Sequence, residues 1–205
     1  MNREEESRLN KLVHDKLVQI KELNINVKNC SRKDLDPTSP LFSLKTFDEL
    51  RLRKELLQGV ANMGFSYPSK IQEATLPVLL ADPPQNIIAQ SQSGTGKTAA
   101  FVLTMLSRVE ASEQYPQCLC LAPTYELALQ IGQIVETMGK FCSDIKVAYA
   151  VRGARSFTRG EKIKEHIIIG TPGTALDWCL KFKCFDPKLV RVFVLDEADI
   201  MISQQ

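Results

Sequence analysis

The sequence predicts an α/β domain with a mainly parallel sheet and helices on both faces. From residue 86 onward, short apolar runs alternate with amphipathic stretches of helix length. The runs are almost continuously apolar, which is typical of parallel strands that are buried on both faces. The expected strands are Ile87–Gln90, Cys118–Ala122, Ile145–Ala150, His166–Gly170 and Val190–Leu195.

Helical periodicity predicts the elements between these strands and ahead of them. Apolar residues from Leu50 to Val60 predict a helix that ends near Gly64, and Ile71–Leu80 predicts a second helix that Asp82-Pro83-Pro84 terminates. The helices expected between the strands are Lys97–Val109, Glu126–Gly139, roughly Arg159–Glu165, and Thr174–Lys181.

Residues 1–45 form a predicted N-terminal extension, and residues 46–205 form the predicted domain. The stretch from Asn24 to Pro40 is polar and is typical of a linker. The helix before it is either a tail packed on the domain or a regulatory segment. That helix is predicted from five apolar residues at helical spacing: Leu9, Leu12, Val13, Leu17 and Ile20.

Composition limits the class of protein. The 205 residues are 44% hydrophobic and 24% charged, as in globular domains, and no apolar run reaches the ~20 residues of a membrane helix. The charged N-terminus lacks a signal-peptide core, so we expect a cytosolic or nuclear protein.

Residues 46–205 hold 17 basic and 17 acidic side chains, so nucleic-acid binding would depend on their local placement. The six scattered cysteines favour free, mostly buried thiols over disulfides or zinc ligands.

A phosphate-binding loop (P-loop) is predicted between the first expected strand and the helix that follows it. Small residues there let backbone N–H groups converge on phosphate oxygens at a helix N-terminus. Lys97 would reach the β- and γ-phosphates, and the Thr98 hydroxyl would bind Mg²⁺. Ser91 stands where the usual pattern begins with glycine. The loop reads Ser91-Gln92-Ser93-Gly94-Thr95-Gly96-Lys97-Thr98.

An acidic turn, Asp196-Glu197-Ala198-Asp199, follows the last expected strand. Ligands of open α/β sheets bind at the carboxyl ends of the strands, so this turn is a candidate second half of a nucleotide site. Asp196 would hold Mg²⁺, through water, and Glu197 would orient or deprotonate the attacking water.

The P-loop and the acidic turn together resemble the DEAD-box ATP-dependent RNA helicases. Gly64-Phe65-Ser66-Tyr67-Pro68-Ser69-Lys70-Ile71-Gln72 is similar to that family's Q motif, and Phe47 lies upstream, where the family has an isolated aromatic. The resemblance implies a RecA-like fold and ATP with Mg²⁺ as cofactor. It also implies that Gln72 reads the adenine edge while Phe65 stacks on the adenine face, which favours ATP over GTP.

Three further segments resemble the family's RNA-binding motifs and imply contacts with the RNA sugar-phosphate backbone rather than with the bases. Tyr125 and Thr174 stand where the family commonly has arginine. Nearby basic residues either compensate for these changes or form an ordinary charged helix face: Arg152, Arg155, Arg159, Lys162 and Lys164. The implied RNA-binding residues are Pro123, Thr124, Tyr125, Glu126, Arg152, Gly153, Thr171, Pro172 and Gly173.

The residues that differ from the common family pattern are similar to those of the family's mRNA-export subgroup. This implies a role in mRNA export or translation, in the nucleus and cytoplasm, with partners from those processes. In that subgroup an N-terminal helix can occupy the cleft between two helicase lobes, which is an implied role for the helix around Leu9–Ile20. The chain ends six residues after Asp199. We therefore expect a first lobe that is incomplete at its C-terminus and that cannot unwind RNA without the charges of a second lobe.

Two other functions remain open from the sequence. The chain could be a non-catalytic RNA- or protein-binding fragment that competes with the full enzyme, which the hydrolysis rate with and without a second lobe would decide. It could also belong to another P-loop class, such as GTPases or small-molecule kinases, which a preference for GTP would favour.

Overall fold

The structure, a computed structural model, describes residues 44–154 and 156–203. The helix predicted around Leu9–Ile20 and the linker Asn24–Pro40 lie outside these residues, and the domain boundary at residue 45 stays a prediction. The α-helices are α1 Lys54–Asn62, α2 Lys70–Leu79, α3 Lys97–Arg108, α4 Tyr125–Met138, α5 Pro172–Leu176 and α6 Ala198–Ser203. The strands are β1 Cys118–Leu121, β2 Val147–Ala150, β3 Ile167–Gly170 and β4 Val192–Leu195. Short 3₁₀ helices span Phe47–Leu50 and Pro187–Leu189.

The four strands form one parallel sheet in the order β2-β3-β1-β4. The strands are in register at their carboxyl ends, because Leu121 of β1 lies beside Gly170 of β3 on one side and Leu195 of β4 on the other. The predicted α/β fold with a parallel sheet is confirmed, and four of the five expected strands lie within one or two residues of their predicted bounds.

Helices α3 and α4 cover one face of the sheet, where α4 contacts β2 and β3 and α3 contacts β4. Cys118 and Cys120 of β1 are buried, and the Cys118 thiol lies 3.6 Å from the Met105 carbonyl oxygen of α3. Burial raises the pKa of Cys118 to about 12, so this thiol stays protonated and unreactive at neutral pH.

The other face is covered by α5, by a π-helix at Asp177–Lys181, and by the chain on either side of them. Leu119 and Leu121, which alternate with the two cysteines of β1, pack against this layer. Its centre is an edge-to-face pair of Phe157 and Trp178, with ring centroids 4.7 Å apart. Helical layers therefore cover both faces of the sheet at β1, where the two cysteines are buried and the two leucines are half-buried.

The helix predicted at Arg159–Glu165 is wrong. The Gly160 N–H donates to the Phe182 carbonyl oxygen at 2.8 Å, and the Ile163 N–H donates to that of Cys184 at 3.1 Å. These bonds tie the segment, which has a turn at residues 159–160 and no helix, to the chain that follows the π-helix. The helix predicted at Thr174–Lys181 is present, but it begins at Pro172 and its second half is the π-helix.

The strand predicted at Ile87–Gln90 is also wrong, since no part of it belongs to the sheet. Ile88 is 85% exposed. On the side of β4 that faces away from β1, no other strand of residues 44–154 or 156–203 pairs with it. Phe193, on the face that β1 shares with the Trp178 layer, is consequently 57% exposed. An apolar run becomes a strand only when a neighbouring strand accepts its hydrogen bonds, and Ile87–Gln90 has no such neighbour here.

Within the part of the chain that the structure describes, no helix is both long enough and apolar enough to span a membrane.

Gly170 allows β3 to lie close to β2, and its substitution tests the packing that positions Thr171. A Cβ at Gly170 would lie 2.1 Å from the Ala150 carbonyl oxygen, whereas a Cβ at Gly173 would meet nothing within 4 Å. We expect Gly170→Ala to lower the free energy of unfolding by about 1–3 kcal/mol, because backbone has to move. Gly173→Ala, the matched control, should leave it unchanged within ~1 kcal/mol. Equal effects in urea denaturation would contradict this prediction.

Candidate functional site

The predicted site residues lie at one edge of the sheet, where the carboxyl ends of the parallel strands meet. The Thr171 N–H donates to the Ala150 carbonyl oxygen at 3.0 Å, and the Asp196 N–H donates to that of Leu121 at 3.0 Å. These bonds continue the sheet ladder one residue past the strands, which fixes the loops relative to each other. The segments that follow the strands are Arg152-Gly153 after β2, Thr171-Pro172-Gly173 after β3, Pro123-Thr124-Tyr125-Glu126 after β1 and Asp196-Glu197 after β4.

The P-loop turns into α3 through two glycines with positive φ, Gly94 at 77° and Gly96 at 101°. Residues with side chains rarely adopt this left-handed conformation, so the loop depends on these glycines. The Lys97 Nζ donates to the carbonyl oxygens of Ser91 at 2.6 Å and Gln92 at 2.9 Å. Thr98 is half-buried in the first turn of α3.

The start of α2 packs against the P-loop. Gln72 is 4% exposed, and its Oε1 accepts the Ser69 N–H at 2.9 Å while its Nε2 donates to the Gly96 carbonyl oxygen at 3.1 Å. A Cβ at Gly96 would lie 2.6 Å from the Gln72 Nε2 and would displace that amide, and the φ of 101° disfavours any residue other than glycine there. Both polar atoms of the Gln72 amide are therefore bonded within the protein. Phe65 is half-buried, and the adenine-binding roles of both residues stay predictions.

A pocket of about 540 Å³ lies between α2 and the P-loop. Its lining comes from the segment that is similar to the Q motif and from the P-loop. The Ser69 Oγ is buried, and Ser69 and Gln72 form a capping box at the start of α2. In the sequence, Ser69 belongs to the segment that is similar to the Q motif but has no role of its own, and its place before α2 is one where serine commonly caps a helix. The pocket is lined by Ser69, Lys70, Ile71, Ser91, Gly94 and Thr95.

The acidic turn is linked electrostatically to the P-loop. Partial burial and the negative charge of Glu197 raise the pKa of Asp196, while the Glu197 N–H, 3.2 Å from the Asp196 Oδ1, and the Lys97 ammonium act in the opposite direction. The Lys97 ammonium and the Asp196 carboxylate therefore lie near enough to interact electrostatically, and their shared role at one nucleotide site stays a prediction. Glu197 itself has a φ of 51°, a strained conformation for a non-glycine residue that costs about 1–3 kcal/mol and is common at functional sites.

The predicted RNA-binding residues lie farther along the same edge and are exposed or half-buried. The Thr124 Oγ1 accepts the Leu127 N–H at 3.2 Å and caps α4, and Tyr125 beside it is 44% exposed. Helices α4 and α5 both begin at this edge, so their N–H groups are available to phosphates. Of the basic residues nearby, Arg152 is exposed, Lys162 donates to the Lys183 carbonyl oxygen at 2.9 Å, and Arg155 lies outside the described residues.

A second cavity, of about 440 Å³, lies at the opposite edge of the sheet. Its lining includes Lys146 and Val147 at the start of β2 and Glu165 before β3, and it contains none of the predicted site residues.

The raised pKa of Asp196 makes a stability prediction. Its ionised carboxylate is less favourable in the folded chain than in the unfolded chain, so its contribution to stability is present at low pH and is lost as pH rises through the pKa. Asp196→Asn keeps an oxygen for the Glu197 N–H and should raise the Tm at pH 7. The gain should shrink as pH falls through the raised pKa of Asp196 and should be largely lost below about 3.9, the ordinary aspartate pKa. The exposed Asp199→Asn is the control and should change the Tm little; a lower Tm for Asp196→Asn at pH 7 would contradict the assignment.

Comparison with known proteins agrees with this geometry. The DEAD/DEAH box helicase family matches residues 69–205. The chain is 62% identical over 204 residues to the ATP-dependent RNA helicase DDX19A of Bos taurus, which covers all of this chain and 41% of the relative. It is 64% identical over 199 residues to the ATP-dependent RNA helicase DDX25 of Homo sapiens, which covers 97% of this chain and 40% of the relative. The chain thus spans about two fifths of the length of these relatives.

Solved structures show the same likeness. Saccharomyces cerevisiae Dbp5 bound to RNA and ADP BeF3 is 51% identical, with a TM-score of 0.73 over 78% of this chain and 40% of that one. A DEAD box protein from Methanococcus jannaschii is 31% identical, with a TM-score of 0.68 over 79% of this chain and 44% of that one. The P-loop, the acidic turn and these matches lead to one conclusion: the chain belongs to the DEAD/DEAH box helicase family.

Proposed function

We propose that this chain is the first lobe of an ATP-dependent RNA helicase, in which ATP binding and hydrolysis are coupled to RNA binding and to local unwinding of a duplex. One observation carries the proposal: the Lys97 ammonium and the Asp196 carboxylate interact at the sheet edge that also presents Thr124 and Thr171. The relatives DDX19A and DDX25, which are named ATP-dependent RNA helicases, support it.

The nucleotide roles follow from the donor set at this edge. Lys97 and the N–H groups at the start of α3 would bind the phosphates of ATP, and Glu197 would orient or deprotonate the attacking water. Thr98 and Asp196 offer the hydroxyl and carboxylate oxygens that Mg²⁺ prefers, and a bound Mg²⁺ would neutralise phosphate charge. Gln72 and Phe65 would bind adenine, which requires the Gln72 amide to exchange a partner within the protein for the base.

The RNA roles follow from exposed hydroxyls and helix N-termini. Thr124, Thr171 and Arg152 would contact phosphates and sugars, so binding should depend little on RNA sequence. ATP and RNA together would close this lobe on a second RecA-like lobe that supplies further charge. Without that charge we expect the chain alone to bind nucleotide but not to unwind RNA.

A role in mRNA export or translation, in the nucleus and cytoplasm, is the biological setting we infer. Dbp5 structures similar to this chain contain RNA, or Nup159 together with a Gle1 variant. Partners of this kind are therefore proposed for the parent protein.

A competing function is a non-catalytic RNA- or protein-binding fragment. A measurement of nucleotide binding distinguishes a chain with a functional nucleotide site from a fragment that binds only RNA or protein. Membership in the helicase family does not support the GTPase and small-molecule kinase alternatives.

Calorimetric titration of the chain with ATP, ADP and GTP in Mg²⁺ tests the proposal. We expect ATP and ADP to bind and GTP to bind much more weakly. Lys97→Ala should weaken ATP binding about tenfold or more, because a charge-assisted contact with phosphate is lost. Gln72→Ala should reduce the preference for ATP over GTP, a change that general loosening of the loop would not produce. Lys188→Ala, at an exposed lysine in Pro187–Leu189, is the matched control. Absence of nucleotide binding, or equal affinity for ATP and GTP, would contradict the proposal.

A further inference from the structure

A basic surface forms on the outside of the layer that contains Trp178. Backbone hydrogen bonds join residues 158–165 to residues 181–184, and the Lys162 Nζ donates to the Lys183 carbonyl oxygen at 2.9 Å. These bonds bring together cations that are distant in sequence. The basic surface consists of Arg159, Lys162, Lys164, Lys181 and Lys183, all of which are exposed.

Buried apolar residues hold the two segments in place. Ile163 is 1% exposed and Cys184 is 0% exposed, and both belong to the apolar cluster around Trp178. The Ile163 N–H donates to the Cys184 carbonyl oxygen at 3.1 Å, so these two anchors also join the segments to each other. The backbone that carries the cations is therefore held against the domain, while their side chains reach into solvent.

The cations of the basic surface are not neutralised by direct contact with carboxylates. Within the part of the chain that the structure describes, none of the five forms an ion pair. Residues 158–165 and 181–184 together hold five basic and two acidic side chains, whereas residues 46–205 hold 17 of each. The rest of the domain is therefore net acidic, and a polyanion that approaches it is attracted to this surface.

The basic surface continues from the sheet edge that presents the predicted RNA-binding residues. The chain leaves that edge at Arg152-Gly153 and leads into residues 158–165. The helical stretch Pro172–Lys181 begins at the same edge and ends at the basic surface. With a rise of about 1.5 Å per residue, this stretch is at most about 15 Å long. One RNA strand can therefore contact both the edge and the basic surface.

We propose that the basic surface binds the phosphates of single-stranded RNA beyond the sheet edge and so extends the RNA-binding site of the chain. This inference rests on the proposed RNA-binding function. The basic surface supplies positive charge that the edge itself lacks, since Tyr125 and Thr174 stand there in place of two arginines. Two of its cations, Lys181 and Lys183, join it only through the fold.

An acidic protein segment is the competing occupant, because Leu176 and Leu180 are exposed on the same helical stretch. A protein partner is usually anchored by a side chain that fills a pocket. Neither the 540 Å³ pocket nor the second cavity is lined by residues of the basic surface or by these two leucines. Contacts with phosphates need only exposed cations and no pocket, so the observations favour RNA.

Fluorescence anisotropy of a labelled oligouridine of about 20 nucleotides tests the proposal on the 205-residue chain. The paired substitution Arg159→Gln and Lys181→Gln removes two cations that make no hydrogen bond or ion pair within the described residues. It should weaken RNA binding about 2- to 30-fold, the range for two exposed charge pairs. It should also lower the slope of log affinity against log salt by about 1.4 in magnitude, because two fewer phosphates are neutralised.

The matched control is the paired substitution Lys54→Gln and Lys140→Gln. It removes the same charge from exposed positions beside α1 and α4, the helices on the other side of the sheet. Salt screens such distant charges, so RNA affinity should change by less than about 2-fold. Equal weakening by both pairs would overturn the proposal. So would unchanged RNA binding by the Arg159 and Lys181 pair, and loss of polyglutamate binding by that variant would then assign the surface to an acidic protein.

Arg152→Gln, at the sheet edge, separates the basic surface from the function on which it rests. Weaker RNA binding by Arg152→Gln but not by the Arg159 and Lys181 pair would support RNA binding at the edge and reject the basic surface. Weaker binding by the pair but not by Arg152→Gln would support the basic surface and reject the role of Arg152. Absence of RNA binding by the unsubstituted chain would reject both.

Discussion

The alignment of the carboxyl ends of the parallel strands is the constraint on which the rest of the site depends. Leu121, Gly170 and Leu195 lie side by side, so the loops that follow β1, β3 and β4 leave the sheet at the same height. A shift of one residue would turn every side chain of a strand to the other face and would separate Asp196 from Lys97. The close approach of Gly170 to the Ala150 carbonyl oxygen extends the same constraint to β2.

Most of the fold follows from local sequence, and the errors have one physical cause. Strands β1 to β4 and helices α1 to α4 were predictable because apolar runs and helical periodicity report burial directly. The helix predicted at Arg159–Glu165 is absent because N–H groups of this segment bond to the carbonyl oxygens of Phe182 and Cys184, about twenty residues away. The strand predicted at Ile87–Gln90 is absent because a strand needs a neighbouring strand to accept its hydrogen bonds, which apolar content alone does not supply. Both errors concern hydrogen-bond partners that are distant in sequence.

The candidate site, like the fold, could be predicted from the sequence only in part. The positions of Lys97, Asp196 and Glu197 in the fold could be predicted, because the P-loop precedes a helix and the acidic turn follows a strand. The sequence could not show that the Lys97 ammonium is bonded to carbonyl oxygens of its own loop, or that both ends of the Gln72 amide are engaged. The left-handed φ of Glu197 was equally hidden. Residue identity therefore predicts which groups meet, but not which of several partners each group holds.

The central claim is that the P-loop and the acidic turn form one nucleotide site, and amide NMR of the 23.0 kDa chain tests it most directly. During titration with Mg²⁺ and ADP, the amides of Lys97, Thr98, Asp196 and Glu197 should shift together and reach saturation with one dissociation constant. The amide of Ile145, beside the second cavity, should not move. Shifts confined to the P-loop at saturation, or shifts centred on Ile145, would contradict the account.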